Sequence, residues 1–336
     1  MMQATQLRMP AEWEVHERTV MSWPTLREIW GGIFDQARNE YAATARAIAR
    51  FEPVLMIANP GDEDDASKQC GPGIEIGTIP IDDSWVRDTG PIINRDAQGR
   101  RIGVHFRFNA YGDRFPHAQD AFVGVHVLEH LKIDVQESEL VLEGGSISVN
   151  GAGTLVTTEQ CLLNANRNPG WTREEIEREL CTQLGVQTII WLRWGRIEDL
   201  HTDGHVDLVC MFARPGVVVA QGCDDPRNPN HERLQANLRI LRSATDASGN
   251  QLQVVELPLL PLVEVGGQMV MVSNANFYFV NGGLIVPVAG GPDDEAVLAL
   301  FRRIFPEREI VGIPSRAIAF GGGGTHCVTQ QIPAVK

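Results

Sequence analysis

The sequence predicts a mixed α/β fold of about five similar units, and three observations support this. Five segments have the apolar spacing of amphipathic helices: 36–51, 117–131, 171–184, 230–242 and 293–305. A strand-like stretch follows each helix, and a pair of β runs separated by a turn follows that stretch. The helix starts lie 81, 54, 59 and 63 residues apart, which is typical of a ring of repeated α/β units.

The strand after the helix is clear in four units and weaker in one. The clear stretches are PVLMIANP, VQTIIWLRW, LQVVELPL and EIVGIPS, whereas the helix at 117–131 leads into the more polar IDVQESELVL. Four hairpins have the glycine-containing turns that short loops require: AQG, NGAG, RPG and NGG. The last unit has one strand, HCVTQQIP, and we expect the N-terminal RTVMSWP to pair with it and close the ring. No linker interrupts this order, so we expect a single domain over residues 1–336.

The composition limits the partners of the protein. The 29 basic and 43 acidic residues leave a net charge of −14, which argues against nucleic acid and anionic membranes and suits a small cationic ligand. No apolar run approaches the roughly 20 residues of a membrane helix, and the N-terminus lacks the apolar core of a signal peptide. We therefore expect a cytoplasmic protein. The oligomeric state is left open, with a homo-oligomer as one option.

The six cysteines show no C-x-x-C spacing, so neither a zinc ribbon nor a thioredoxin-like motif is present. Five have structural explanations: Cys161 and Cys210 in strand-like apolar runs, Cys181 on a helix, and Cys70 and Cys223 in loops. Cys327 differs, because it follows four glycines and a histidine in GGGGTHC. The glycines either form a turn before an edge strand, or let the backbone approach a ligand and aim Cys327 at it as a nucleophile.

Polar residues collect in four loops. In DDSWVRDTGP, Trp85 and Asp88 form either an Asx-type turn or an aromatic face and a carboxylate for a flat cation. In HTDGHVD, His205 and Asp207 are two apart at an expected strand start, where both side chains share one face. The remaining loops contain Glu143, in LEGG, and the pair Asn274 and Asn276, in SNANFYF.

Taken singly, each of these clusters is more often structural than catalytic. Together they supply a thiol, a histidine, two carboxylates and a tryptophan, which suits chemistry on a guanidinium ion. Two carboxylates bind its N–H groups, a thiolate attacks its poorly electrophilic carbon, and a histidine protonates the leaving amine. This chemistry needs no metal or other cofactor.

At this point the chain resembles the agmatine deiminase and bacterial peptidyl-arginine deiminase family, within the guanidino-modifying enzymes of pentein fold. The resemblance runs along nearly the whole chain. It rests on the ordered set MPAEWEVHERTVMSWP, DDSWVRDTGP, FNAYG, LEGGSISVNGAGTLVTTEQCLLNANRNPG, TDGHVD, NFYFVNGG and GGGGTHCVTQQIP. It implies a five-bladed α/β propeller of repeated strand, hairpin and helix units. It also implies hydrolysis of agmatine to N-carbamoylputrescine and ammonia, a step towards putrescine.

The resemblance also implies roles for individual residues. Cys327 would be the nucleophile that forms a covalent thiouronium, and His205 the acid and base. Asp88 and Asp207 would orient the guanidinium of a small cationic substrate. The predicted substrate-binding residues are Trp85, Glu143, Asn276 and, towards the far end of the substrate, His201.

The chain departs from the family pattern where the far end of the substrate would lie. The family's F-N-A-W-G-G is FNAYGD here, with Tyr111, and its G-G-G-N-I-H-C has Gly324 and Thr325 in place of N-I. His201 stands where agmatine deiminases usually have an acidic residue. These changes affect the choice of guanidino compound, with free or peptidyl arginine as the alternative, and not the reaction type.

Two other classes of protein remain open from the residues alone. One is a metal-dependent ureohydrolase built on His201, Asp203, His205 and Asp207, although Gly204 argues against the helix that H-x-x-x-H needs. The other is a binding protein that keeps the fold without catalysis, which the complete set of reactive residues disfavours.

Overall fold

The structure is a computed structural model that describes residues 7–335, and it forms five small β-sheets of one construction. In each three-stranded sheet an antiparallel hairpin is followed by a third strand parallel to the second. These sheets are β4 (Ile92–Arg95), β5 (Arg101–Arg107) and β6 (Asp134–Val141); β7 (Ile147–Val149), β8 (Thr154–Thr158) and β9 (Thr188–Leu192); β10 (Cys210–Arg214), β11 (Val217–Gly222) and β12 (Gln253–Pro258); and β15 (Tyr278–Val280), β16 (Gly283–Val288) and β17 (Glu309–Pro314). A separate hairpin contains β13 (Val263–Val265) and β14 (Gln268–Val270).

The fifth sheet joins the two ends of the chain. It contains β18 (Gln330–Pro333), β1 (His16–Ser22), β2 (Val54–Ala58) and β3 (Ile74–Thr78), in that order. Strand β18 pairs antiparallel with β1, so that Gln330 faces Val20, and β1 pairs parallel with β2. The predicted pairing of the terminal strands is therefore confirmed.

The five predicted helices are all present, with ends shifted by a few residues. The described helices are α1 (Arg27–Trp30), α2 (Phe34–Ile48), α3 (Glu63–Cys70), α4 (Val86–Thr89), α5 (Ala110–Asp113), α6 (Val123–Leu131), α7 (Glu159–Leu162), α8 (Arg173–Leu184), α9 (His231–Ser243), α10 (Asp294–Ile304) and α11 (Arg316–Phe320). Helix α8 begins where Thr172 and Glu175 form a reciprocal capping box, and it ends at Gly185 in a left-handed conformation.

The sequence patterns missed helix α3, strand β3, the hairpin of β13 and β14, and the short helices α1, α4, α5, α7 and α11. Helix α3 and strand β3 extend the first sheet, and they account for the long first spacing of 81 residues between helix starts. The helix EDDASKQC buries only Ala66 and Cys70, so it has no apolar stripe to detect. Two cysteine placements were also wrong, because Cys70 ends this helix and Cys161 lies on α7 rather than on a strand.

The long helices bury their apolar faces against the sheets. On α9, for example, Leu234, Leu238 and Leu241 are fully buried and join a cluster with Val218 and Ala220 of β11. Burying one such leucine contributes about 1.5–3 kcal/mol, so these contacts fix each helix on its sheet. Among residues 7–335, no helix is long and apolar enough to cross a membrane.

Candidate active site

The candidate residues occupy equivalent places in the five sheets. Asp88 precedes β4, Glu143 precedes β7, Asp207 precedes β10, Asn276 precedes β15 and Cys327 precedes β18, in each case by two to four residues. The five segments converge, because side chains from neighbouring segments lie within 4 Å of one another in the contacts that follow. The repeated unit thus brings one polar segment from each sheet to a common centre.

Gly145 marks this centre. A Cβ atom at Gly145 would lie 2.6 Å from Nδ1 of His205, 3.0 Å from Oδ2 of Asp207 and 3.0 Å from Oδ1 of Asp88. Its N–H also donates to Oδ1 of Asp88 at 2.9 Å. The absence of a side chain at this position lets three ionisable groups from two other sheets approach one another.

A cavity with an empty volume of about 330 Å³ opens onto this centre. Cys327, Asp88 and Trp85 line it, together with Tyr111 and the glycines that precede Cys327, Gly321, Gly322 and Gly323. The lining also contains three residues that the sequence patterns did not identify: Ile29, Phe115 and Thr202. His201 also lines the cavity and is exposed to solvent, so it lies at the mouth. One wall is thus aromatic and the inner end carries the thiol and the carboxylate of Asp88.

The thiol of Cys327 is buried and closely held. Its Sγ lies 3.5 Å from Oδ2 of Asp207 and 3.4 Å from Nδ2 of Asn276. The preceding glycines permit this position, because a Cβ at Gly323 would lie 2.5 Å from the ring of Trp85 and 3.0 Å from Cβ of Cys327. Burial raises the pKa of the thiol well above its usual range, and the charges of Asp207 and Asp88 raise it further.

His205 lies between two carboxyl groups. Its Nδ1 is 3.8 Å from Oδ1 of Asp88, and its Nε2 is 3.7 Å from Oε2 of Glu143. Burial acts to lower the pKa of the imidazole, but the charge of Asp88 and interactions with Cys161 and Glu143 raise it well above its usual value. The raised pKa favours the imidazolium form of His205, which can donate a proton.

The two carboxylates near the thiol differ in pKa. Burial raises the pKa of Asp88, and this outweighs the lowering effect of His205; the other acids, Asp207 and Glu143, raise it further. Burial also acts to raise the pKa of Asp207, but a hydrogen bond and the charge of His326 reverse this, so that its pKa is lowered. Oδ1 of Asp207 is buried and accepts no hydrogen bond from residues 7–335. Neither Asp207 nor His205 lines the cavity, but they contact Cys327 and Asp88, which do.

The predicted substrate-binding residues fall into two groups. Trp85 and His201 line the cavity, as a substrate contact requires. Asn276 instead holds Cys327 and donates to the carbonyl of Asp207. Glu143 lies behind His205 and accepts a bond of 2.6 Å from Nε of the fully buried Arg167.

One local prediction was wrong: His205 and Asp207 lie not on a strand but at a 3-10 turn, Val206–Leu208, that precedes β10. The Asx-type turn, one of two alternatives for Trp85 and Asp88, does not describe their loop. Trp85 is the N-cap of α4, Asp88 lies on this helix, and the N–H of Asp88 donates to the carbonyl of Trp85.

Comparisons with known proteins agree with this geometry. A family model for the Porphyromonas-type peptidyl-arginine deiminases matches residues 8–333. An agmatine deiminase from Pseudomonas aeruginosa is 43% identical, with 98% of this chain and 96% of that protein covered. The chain belongs to this family.

Solved structures resemble this member of the family closely. The agmatine deiminase of Enterococcus faecalis superimposes with a TM-score of 0.95 at 33% identity, covering 100% of this chain and 99% of that one. A dimethylarginine dimethylaminohydrolase matches with a TM-score of 0.54 at 12% identity over 95% and 100% of the two chains, which shows a shared mixed α/β fold.

A second cysteine of this family member lies near His205. Each of Glu143, Cys161 and His205 has an atom that could bind a metal, and these three atoms lie within 4.8 Å of one another. Residues 7–335 contain one such group of three. Cys161 is fully buried and does not line the cavity, and its Sγ lies 3.9 Å from Oε2 of Glu143. Glu143 already forms an ion pair with the guanidinium of Arg167, and this buried positive charge disfavours a metal cation at the same carboxylate. Cys161 thus lies behind His205, where a substrate in the cavity does not reach it.

The residues of the metal-dependent alternative do not assemble. Among the described residues, no three of His201, Asp203, His205 and Asp207 form a ligand group. Asp203 instead pairs with Arg114 at 2.9 Å and with Arg167 at 2.8 Å.

The sequence patterns missed several contributors to this site. The hydroxyl of Tyr111 donates to Oδ2 of Asp88 at 2.9 Å, and His326 contacts Asp207. Tyr111 lies on α5, a left-handed turn in which Ala110, Tyr111 and Asp113 all have positive φ. Such angles are uncommon outside glycine and often mark functional sites. Proximity to Cys327 was the available signal for His326. Tyr111 was expected at the far end of the substrate, but its bond to Asp88 places it at the inner end, and Gly324 and Thr325 do not line the cavity.

Proposed function

We propose that the protein is a cysteine-dependent agmatine deiminase, which hydrolyses agmatine to N-carbamoylputrescine and ammonia. One observation carries this proposal: a buried thiol and the carboxylate of Asp88 line one small cavity with a tryptophan wall, and His205 and Asp207 contact these two groups. This set matches a planar cation whose carbon is attacked. The names of the P. aeruginosa and E. faecalis relatives support the substrate.

Substrate binding comes first in the mechanism. Asp88 and Oδ1 of Asp207 accept hydrogen bonds from the guanidinium, and Trp85 covers its face. The arriving positive charge offsets the two carboxylates that raise the pKa of Cys327. The thiol therefore releases its proton to solvent when the substrate is bound, and the thiolate forms beside the carbon that it attacks.

The covalent steps then use His205 twice. Attack forms an S–C bond and a tetrahedral adduct, and the imidazolium of His205 protonates one NH₂ group, so that ammonia leaves. A thiouronium remains on Cys327, and His205 is now neutral. It takes a proton from water, whose oxygen attacks the same carbon to form a second tetrahedral adduct. The S–C bond then breaks, the new hydroxyl gives its proton to the departing thiolate, and the ureido product leaves.

We further propose a fold type, a cellular location and a metabolic setting for the protein. The five equivalent sheets, with the pairing of β18 and β1, support a five-bladed propeller that acts as one catalytic domain over residues 1–336. The six cysteines are free thiols, which supports a cytoplasmic location and no role for disulfides. The product is a precursor of putrescine, so polyamine metabolism is the proposed setting.

The mouth of the cavity favours one alternative, a different guanidino compound such as free or peptidyl arginine. Besides Asp88 at the inner end, the lining has no carboxylate, and His201, Phe115 and Ile29 occupy its outer part. The ammonium of agmatine therefore has no anionic partner among the lining residues.

The test is product identification with purified protein in the presence of a chelator. Agmatine, arginine and an arginyl peptide are each incubated, and ammonia and the ureido product are quantified by mass spectrometry. The proposal expects N-carbamoylputrescine and ammonia from agmatine. Higher kcat/KM with arginine would favour the alternative, and urea with putrescine would refute deimination.

A further inference from the structure

Behind the nucleophile lies a buried row of charged groups that does not line the cavity. His326 is fully buried, its Nδ1 lies 2.9 Å from Oδ2 of Asp207, and its Nε2 lies 3.0 Å from both oxygens of Glu12. Arg87 follows, with its guanidinium 3.8 Å from Glu12 and its Nε donating to the carbonyl of His326. The order Arg87, Glu12, His326, Asp207 alternates in charge and ends at Cys327.

The row makes His326 a cation. Burial and the charge of Arg87 act to lower the pKa of its imidazole, but Glu12 and Asp207 outweigh them and raise it. For Glu12, burial acts to raise the pKa, but His326 and Arg87 lower it to about 2. Both ring nitrogens of His326 therefore carry protons, and each donates to a carboxylate.

Asp207 needs such a partner. It is fully buried, and Asp88 shares the same small site, so two like charges stand close together before any substrate arrives. A buried carboxylate pair tends to keep one proton. The pair then carries one negative charge instead of two and binds a cation more weakly.

We propose that His326 is a positioning residue: held as an imidazolium by Glu12, it keeps Asp207 ionised and oriented, so that both carboxylates of the empty site are ready for a cation. The kinetic test of this role of His326 rests on the proposed deiminase function. Removal of the positive charge of His326 is expected to raise the pH at which the pair of Asp88 and Asp207 takes up its first proton.

Other charged groups face these residues and bear on the result. His205, Arg87, Cys327 and Asp88 lie around Asp207, in addition to His326. The ring of Tyr278 lies 6.5 Å from that of His326. His16 faces Glu12 and is itself bonded to Glu52 at 2.9 Å. Among these groups, only His326 is hydrogen-bonded to both Asp207 and Glu12, whereas Arg87 acts on both through its charge.

The experiment compares His326→Gln and Glu12→Gln with wild type. The first keeps a hydrogen-bond donor without the charge, and the second weakens the charge that holds His326 protonated. Glu52→Gln is the matched control, because it alters another buried glutamate bonded to a histidine, His16, that does not contact Asp207.

The readout is the pH dependence of kcat/KM for agmatine. Both test variants are expected to shift the acid limb upwards by about one pH unit, which is the effect of losing one close charge, and the control is expected to leave it in place. A uniform loss at every pH, with the shape unchanged, would overturn the proposal and indicate a structural role.

Two further measurements keep the inference testable. Nitrogen-15 spectra of the histidines in the wild-type protein are expected to show His326 as an imidazolium at pH 7, and a neutral ring would overturn the proposal even if the variants do not fold. If agmatine is not a substrate, the proposed function fails by itself. Alkylation of Cys327 by the cationic reagent 2-chloroacetamidine then supplies the pH profile, with the same expected shift.

Discussion

Gly145 provides a stringent test of the site geometry. It lies among His205, Asp207 and Asp88 and contributes no side chain to the chemistry. Its φ is not in the left-handed region, so an alanine is compatible with the backbone. Gly145→Ala therefore changes the spacing of three functional groups without changing their identity.

The magnitude follows from the distances. The new Cβ would lie 2.6 Å from Nδ1 of His205, whereas ordinary van der Waals contact begins at 3.4 Å, so the imidazole must move by roughly 0.8 Å. A misplacement of about 1 Å at a catalytic group costs on the order of 10²-fold in rate. We expect Gly145→Ala to lose about 10²-fold in kcat/KM, since Asp207 and Asp88 also have to move.

The assay is steady-state ammonia release from agmatine, with circular dichroism and thermal unfolding to confirm the fold. Gly291→Ala is the matched control, because a Cβ there meets nothing within 4 Å and φ is not in the left-handed region. A folded Gly145→Ala protein with activity within about threefold of wild type would refute the convergence of these groups at Gly145, because so small a change is below the effect of one misplaced group.

Four further predictions concern single side chains. Cys327→Ser is expected to abolish turnover in a folded protein, and wild-type-like activity would remove the nucleophile assignment. His205→Ala is expected to slow formation and hydrolysis of the covalent adduct alike, each by about 10²–10⁴-fold; normal rates in rapid-quench experiments would require another acid and base. For wild type, kcat/KM is expected to fall on the alkaline side as His205 loses its proton, at a pH above the ordinary imidazole range because its pKa is raised; a decline centred in that ordinary range would contradict this. His201→Asp is expected to improve kcat/KM for agmatine by up to about tenfold, since one exposed charge contact contributes about 1 kcal/mol; no gain would show that residue 201 does not meet the distal ammonium.

Much of the fold was predictable because the repeated unit is local. Helices such as α9 and α10 carry clear apolar stripes, and hairpin turns such as NGG are short and rich in glycine. Helix α3 escaped detection because it is short, charged and buries only two residues. Its strand β3 therefore had no recognisable helix before it.

The site was predictable in its residues and less so in its geometry. His205 and Asp207 do lie close together, yet a 3-10 turn, not strand alternation, places them there. The bond from Tyr111 to Asp88 spans 23 positions in the chain, and that from His326 to Glu12 spans 314. Contacts between segments so far apart depend on the closure of the sheets, and local patterns do not contain them.

The most direct test of the central claim is the identity of the cysteine that carries the covalent intermediate. Agmatine is mixed with the protein, the reaction is quenched in acid during turnover, and the peptides are mapped by mass spectrometry. We expect a thiouronium on the peptide that contains Cys327, which lines the cavity. Its added mass is that of agmatine less ammonia. The same adduct on Cys161, or turnover without any adduct on Cys327, would contradict this claim.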